Sequence, residues 1–382
     1  MNIKRSILKR VKRALGEREP VSQAIINLYK TEYQKRVLIS YITAPFKTVN
    51  EFRHQNYLTS HVIAEGFSEM GYNVDVYDFY EKFKIDYNKY DVIFGFGEPF
   101  ELSFYHENRS IPRAYFVTGA HHYLNNEQSL KSIREFHSLT GLWRAEEGLV
   151  LKDCSYYTLF DSDFAIILAH GYVFEHFENT FKRRTYSLNN NILNAFSDLP
   201  IKTKESRNKT FLYLSGGTPI NKGLHLLLEI AKSRSDLKFF IIINYISTIV
   251  REYYADLFEL PNISLHVNIP MNSDEMRGAV ASCSYCISPS YIDGLPGGTI
   301  EPMSAGLIPI VSKYCGFPTK DFIFEMDELS VDGLHRTINK VLSLDDQEYV
   351  NYSNAVKSYS CEQYAPVEVK KELTRILKGE GL

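Results

Sequence analysis

The stretch "GLPGGTIEPMSAGLIPIVS", residues 294–312, directly follows "SYCISPSYID". Its order decides how the second half of this chain is read. An apolar run ends at Ser290, a Pro-Gly-Gly turn opens a short helix, and "LIPIVS" (307–312) is apolar again. Strand, turn, helix, strand is the unit from which parallel sheets are built. Gly297, Gly298 and Thr299 open the helix. Small residues there let a ligand approach the backbone, and the first N–H groups of a helix lack intrahelical partners. Together with the helix dipole they form an anion site. Glu301, read in the first turn, is then either a ligand residue or a capping-box acid. The stretch by itself leaves both open. Pro302 is tolerated if it too lies in the first turn.

The same punctuation occurs earlier. "TFLYLSGG" (210–217) reads as a strand, and "KGLHLLLEIAKS" (222–233) as a helix. Lys222 would then sit in a helix's first turn, where a cation opposes the dipole unless an anion shares the site. Two glycine-rich turns after neighbouring strands, one carrying a Lys, point to a phosphate ligand. The GxxxxGK[ST] P-loop is absent.

Strand-like and helix-like segments alternate along the whole chain. "RVLISYIT" (36–43), "NVDVYDF" (73–79), "YDVIFGFG" (90–97), "RAYFVTG" (113–119) and "FAIILAHG" (164–171) read as strands, with a helix over 53–71 closed by Gly71. A second series runs through "LKFFIII" (237–243), "SLHVNI" and "YCISPS" (285–290). The polar, aperiodic "NNNILNAFSDLPIKTKESRNK" separates them. The fold class is therefore α/β, with two Rossmann-like doubly wound parallel sheets facing a cleft. The expected domains are 22–198 and 199–360, after a basic segment 1–21. A C-terminal helix in 361–382 is expected to return to the first domain.

Composition narrows the function. The 382 residues suit two domains, and 44% hydrophobic content is enough for a core in each. A net charge of -3 provides no global basic field for nucleic acid. Five scattered cysteines, at 154, 283, 286, 315 and 361, fit a reducing compartment, hence a cytoplasmic protein. Cys283 and Cys286 form a CxxC at a helix end and in an apolar strand, which fits core packing better than a metal site lacking a second ligand pair. Asp161 and Asp163 form a DxD, but at the amino end of a strand, so no metal is expected.

At this point a family resemblance enters. "SPSYIDGLPGGTIEPMSAGLIPIVS" resembles the signature of GT-B glycosyltransferases, nearest the retaining GT4-type enzymes: E-x7-E, then a helix and A-x-G-x-P-V-V. Asp293 and Glu301 stand eight apart, and Ala305, Gly306, Pro309 and Val311 fit the remainder. "LYLSGGTPINKGLHLLLEI" resembles the family's GR-x4-KG phosphate loop, with Lys222 and Gly223 in place. "TAPFKTVNEFRHQN" resembles its acceptor loop, and "YFVTGAHHY" a strand ending in a donor-facing His. Two positions depart from the pattern. Asp293 replaces a Glu, and Gly217 replaces an Arg. Either another cation, with Lys182, Arg183 and Arg184 nearest the domain junction in sequence, takes that Arg's place, or the phosphate site is weaker.

The resemblance implies roles. Glu301 would accept hydrogen bonds from the donor ribose, and Asp293 would bind hydroxyls of the sugar. Lys222, the Gly216–Gly217 loop and the amides of Gly297, Gly298 and Thr299 would hold the diphosphate. His121 or His122, the first preferred, would contact the sugar. It implies a nucleotide-diphosphate-sugar donor, a glycan or lipid-linked acceptor, no cofactor, and retention without a protein nucleophile. A nucleotide-sugar 2-epimerase of the same fold and a non-catalytic binding partner are the alternatives.

The N-terminus adds a membrane expectation. Lys4, Arg5, Lys9, Arg10, Lys12 and Arg13 surround Ile3, Ile7, Val11 and Leu15, which recur every four residues. The pattern reads as a short basic amphipathic helix, suited to an anionic surface at the inner face of a membrane, or else as a solvated terminus. Each basic residue near such a surface contributes about 1 kcal/mol, screened by salt. Deleting residues 1–16 should therefore reduce flotation with anionic vesicles at low salt. Equal flotation of truncated and full-length protein would reduce the segment to a solvated tail.

Overall fold

The computed structural model describes residues 24–47, 54–148 and 156–382. The basic segment 1–16, Cys154 and the middle of the expected acceptor loop lie outside the described residues.

The chain forms two six-stranded sheets. The first comprises β1 (Lys35–Tyr41), β2 (Tyr72–Asp78), β3 (Val92–Gly95), β4 (Arg113–Val117), β5 (Phe164–Ile167) and β6 (Arg184–Ser187), in the order β2-β1-β3-β4-β5-β6. The second comprises β7 (Thr210–Ser215), β8 (Lys238–Ile243), β9 (Ile263–Val267), β10 (Tyr285–Ser288), β11 (Ile308–Val311) and β12 (Phe324–Glu325), in the order β12-β11-β10-β7-β8-β9. Every pairing between these strands is parallel. Val37, for instance, lies opposite Val74 on one side and Val92 on the other. Strands such as "VLISY" and "YCI" are buried on both faces, which is why they read as continuous apolar runs. β6 and β12 were not expected. Both are edge strands, and "RTYS" and "FE" carry no apolar run to betray them.

The helices used below are α1 (Gln55–Glu69), α2 (His122–Thr140), α3 (Gly171–Phe181), α4 (Leu224–Ser233), α5 (Gly297–Met303), α6 (Asp346–Gln363) and α7 (Pro366–Gly379). A parallel sheet puts all its carboxyl ends on one edge. In each sheet the strand order turns back once, between β1 and β3 and between β7 and β10. Crevices at such switch points are where open α/β sheets take ligands.

The carboxyl edges of the two sheets meet. Gly119, after β4, and Gly294, after β10, touch so closely that a Cβ on Gly294 would lie 2.2 Å from the Gly119 Cα. The His170 amide, after β5, donates to the Gly316 carbonyl at 2.8 Å. The cores interpenetrate as well. Ile292 and Tyr314 of the second half belong to the first sheet's core, and Phe136 of α2 belongs to the second sheet's.

The chain leaves the second sheet through α6, whose start carries a capping box of Asp345 and Glu348. It then turns into α7, with Pro366 at a position where a missing N–H does no harm. Val369, Leu373, Ile376 and Leu377 make one apolar stripe, buried in the first sheet's core beside Val62 and Phe67 of α1. Lys370 anchors the contact, 2.5 Å from Glu69 and 3.2 Å from Glu65. Leu373→Ala, at a fully buried site, should lower stability by about 2–5 kcal/mol through lost burial and a residual cavity. Urea unfolding followed by circular dichroism measures this; an unchanged midpoint would mean α7 does not hold the first half together.

Candidate functional site

The two glycine turns found in the sequence flank the β7/β10 switch point. The loop Gly216–Gly223 follows β7, and the segment from Pro289 to α5 follows β10. α4 starts at Leu224 with Gly223 as its N-cap, so Lys222 precedes the helix and does not occupy its first turn. This corrects the dipole argument. The charge of Lys222 is met by the protein's own carboxylate: Nζ lies 2.5 Å from Asp293 Oδ2 and donates to the Ile292 carbonyl at 2.9 Å. Both side chains are about four-fifths covered, at 19% and 22% exposure. An ammonium has three N–H groups. Two are used here, which leaves one for a further acceptor.

α5 also differs from expectation. Its N-cap is Pro296, and no acid lies in its first turn. Glu301 is the fifth of seven helical residues, so it is not a capping-box acid, and Pro302 is sixth, inside the helix. A proline there forgoes the amide bond back to the Gly298 carbonyl, and the helix ends just after it, with the Ser304 amide turning back to the Glu301 carbonyl.

The Glu301 side chain is fully buried, at 0% exposure. Its Oε1 accepts from Gln55 Nε2 of α1 at 3.0 Å, and from the Leu193 backbone amide in the segment that crosses between the sheets. Burial raises its pKa to about 7, against the lowering effect of the Leu193, Gln55 and Ala195 hydrogen bonds. The glycines before it are explained by packing. A Cβ on Gly297 would lie 2.3 Å from Gln55 Oε1, and one on Gly298 would lie 2.1 Å from the Leu214 carbonyl oxygen. Room for Gln55 and for β7 is thus one requirement that these two glycines meet. Thr299 is buried. By contrast Gly216 and Gly217 are exposed, and a Cβ on either would meet nothing within 4 Å.

The first half brings three further features to this place. His54 is the N-cap of α1; burial pushes its pKa down, and the nearby Asp293 carboxylate acts against that. Gly119 touches Gly294, which puts the turn carrying His121 and His122 against the loop of Asp293. His121 itself is only 2% exposed. It caps α2, and its ring packs against Tyr115, Phe177 and His122. His122 is half-buried at the first turn of α2.

Other expected residues fall elsewhere. Arg184 pairs with Glu380 at 2.8 Å, and Arg183 donates to the Ser162 carbonyl at 3.0 Å, so neither takes the place of the Arg missing at 217. Asp163 accepts from the Arg113 amide at 2.8 Å at the amino ends of β4 and β5, remote from the carboxyl edge. Cys283 and Cys286 are buried, and burial pushes the Cys283 thiol up to about 12. Among the described residues no cluster of His, Cys, Asp or Glu has the arrangement of a metal site. No described helix is long and apolar enough to cross a membrane.

Sequence reasoning missed Gln55 and Leu193. Gln55 carried one signal, a polar residue opening a helix in the expected acceptor loop. Leu193 carried none, because its contribution is a backbone amide.

No protein-family model and no curated protein matches the chain. Solved structures do. Sucrose-phosphate synthase from Thermosynechococcus elongatus aligns with 91% of this chain and 98% of its own, at 11% identity and a TM-score of 0.61. Anabaena HepE, solved with UDP-glucose, aligns with 90% of this chain and 99% of its own, at 11% identity and a TM-score of 0.55. WaaG, a glycosyltransferase involved in lipopolysaccharide biosynthesis, aligns over the same shares at 12% identity and a TM-score of 0.54. At these identities the likeness establishes architecture: the chain has the GT-B fold.

Glu301 makes the site pH-sensitive. A folded pKa near 7 exceeds the ordinary carboxyl value of 4.5. Such a group's stabilising contribution is fully present below pH 4.5 and is lost as pH rises through 7. The loss corresponds to about 3 kcal/mol. Glu301→Gln, which keeps the shape and an accepting oxygen, should remove this dependence. The urea midpoint of the wild type should fall, relative to the variant, between pH 4.5 and 7. Parallel pH profiles would show that Glu301 is ionised at ordinary carboxylate pH.

Proposed function

We propose that this chain is a glycosyltransferase. It moves a sugar from a nucleotide-diphosphate-sugar donor to the hydroxyl of a glycan or lipid-linked acceptor, in the assembly of a bacterial surface polysaccharide. The observation that carries this reading is the Lys222–Asp293 pair at the switch point of the second sheet, in a loop that packs against Gly119 at the first sheet's carboxyl edge. Crystal structures of the same fold, one solved with UDP-glucose and one of a named glycosyltransferase, support it.

In this reading the unused N–H of Lys222 and the open Gly216–Gly217 turn take the diphosphate. Preorganised donors aimed at the developing phosphate charge supply the main rate effect. Asp293, held by Lys222 and by the Gly294 amide, accepts hydroxyls of the sugar. Glu301 takes those of the ribose once its cover moves. The turn of His121 and His122 closes the sugar side. No protein nucleophile is used: a phosphate oxygen takes the acceptor proton on the face from which the diphosphate leaves, so configuration is retained. Closure of the two halves excludes water and limits hydrolysis. The reaction uses no metal, and the protein works in the cytoplasm at the inner membrane face.

A non-catalytic binding partner is favoured by one observation, the complete burial of Glu301. Turnover decides between them.

Lys222→Ala should weaken nucleoside diphosphate binding far more than nucleoside binding. Thermal shifts with UDP, GDP and ADP against their nucleosides measure it, since a ligand at 100 times its Kd stabilises by about 2.7 kcal/mol. Equal weakening of both ligand types would remove the phosphate role. Turnover should survive EDTA; its loss and rescue by Mg²⁺ or Mn²⁺ would overturn the metal-free mechanism.

A further inference from the structure

A carboxylate with no exposed surface cannot receive a ligand until whatever covers it moves. The cover of Glu301 is specific. From the first half comes Gln55, whose amide donates to Oε1 at 3.0 Å and rests on Gly297 where a side chain would otherwise stand. From the crossing segment comes the Leu193 amide. We propose that Gln55 is a latch between the two halves, which keeps Glu301 engaged by the protein itself and must release before any ligand hydroxyl reaches that carboxylate.

Three observations support the latch. Gln55 is 4% exposed, so its amide lies within the contact between the halves. The next turn of α1 engages the same region: Asn191 Nδ2 donates to Thr59 Oγ1 at 3.0 Å. The crossing segment is in turn tied to the loop before α5, with Asn190 Nδ2 donating to the Leu295 carbonyl at 3.1 Å. One face of α1 therefore touches α5 and the crossing segment together, and separating the halves breaks these contacts as a set. At Oε1 the chemistry is that of direct competition, while Oε2 is buried and is reached only when the cover moves. An amide N–H and a ribose O–H both donate to a carboxylate oxygen, so the latch offers Glu301 the kind of bond a ligand would offer. This last point rests on the proposed function; the latch itself rests on the geometry.

The test uses the full chain with Gln55→Met, which keeps length and removes the donor, and Gln55→Ala as a second variant. Amide hydrogen exchange at Leu193 reports the latch without any ligand. Calorimetry with UDP, GDP and ADP in turn reports access to the site. The expected result is faster exchange at Leu193 in both variants, and nucleoside diphosphate binding tighter by about tenfold, equivalent to about 1.4 kcal/mol. A latch that also shuts out water predicts a lower Kd together with a lower kcat, a split that simple loss of stability does not produce. Unchanged exchange at Leu193 in a folded Gln55→Met would overturn the latch. Faster exchange with no change in diphosphate affinity would overturn the competition. Faster exchange in a protein that binds no nucleoside diphosphate in any form would leave the latch standing and remove the proposed function.

Discussion

The Glu301 carboxylate sits where water is excluded, and most of the site can be understood as the means of tolerating it. An unpartnered carboxylate in such a place is strongly unfavourable, and each hydrogen bond to the charged form offsets part of that. Here the two partners, both on Oε1, come from other parts of the chain: Gln55 from α1 and Leu193 from the crossing segment. Because Glu301 and Gln55 lie on different halves, holding Oε1 in this way fixes how the halves stand to each other. Gly297 and Gly298 follow from the same constraint. α5 must come close to both β7 and α1, and any side chain at those positions would collide with one or the other.

The sheets supply the geometry that makes the contact possible. Parallel strands deliver every loop of one kind to one edge, so a residue after β1, one after β4 and one after β10 can converge although the chain keeps them far apart. Gln55 and Glu301 are 246 residues apart, and Lys222 and Asp293 are 71 apart. The C-terminal helices act on the same arrangement from outside. α6 lies on the second sheet's side and α7 is embedded in the first sheet's core, so the chain crosses between the halves twice.

The strands buried on both faces were legible because burial dictates their composition; β1, β7, β8 and β10 read as apolar runs and formed where expected. Edge strands escaped for the complementary reason: β6 and β12 need no apolar run. At the site, residue types were legible and their partners were not. Lys222 reads as a first-turn residue of a helix, but it precedes the helix and its charge is met by Asp293, a partner that local sequence does not reveal. The Glu301 argument weighed a ligand contact against a local cap. A contact to the opposite half has no signature in local sequence, and neither alternative contained it. The two acids that the family pattern pairs by spacing are thus separated by environment. Asp293 is partly open and charge-paired, whereas Glu301 is closed and held by neutral donors.

That division bears on where a ligand first meets the protein. Most of the glycines around the site answer to packing or to backbone conformation: Gly294 to Gly119, Gly297 to Gln55, Gly298 to Leu214, and Gly119 to its φ of +125°. Gly216 and Gly217 answer to nothing in the surrounding structure, for a side chain there would point into open space. They are also exposed, next to the loop that leads to Lys222 and its one uncommitted N–H. An anion arriving from solvent would therefore meet this turn and the Lys222–Asp293 pair before it could disturb anything buried. Drawing Lys222 toward the anion loosens its hold on Asp293, whose loop is in backbone contact with Gly119 of the opposite half. In the proposed function, a donor's phosphates would meet the exposed turn first and the buried carboxylate would be reached last.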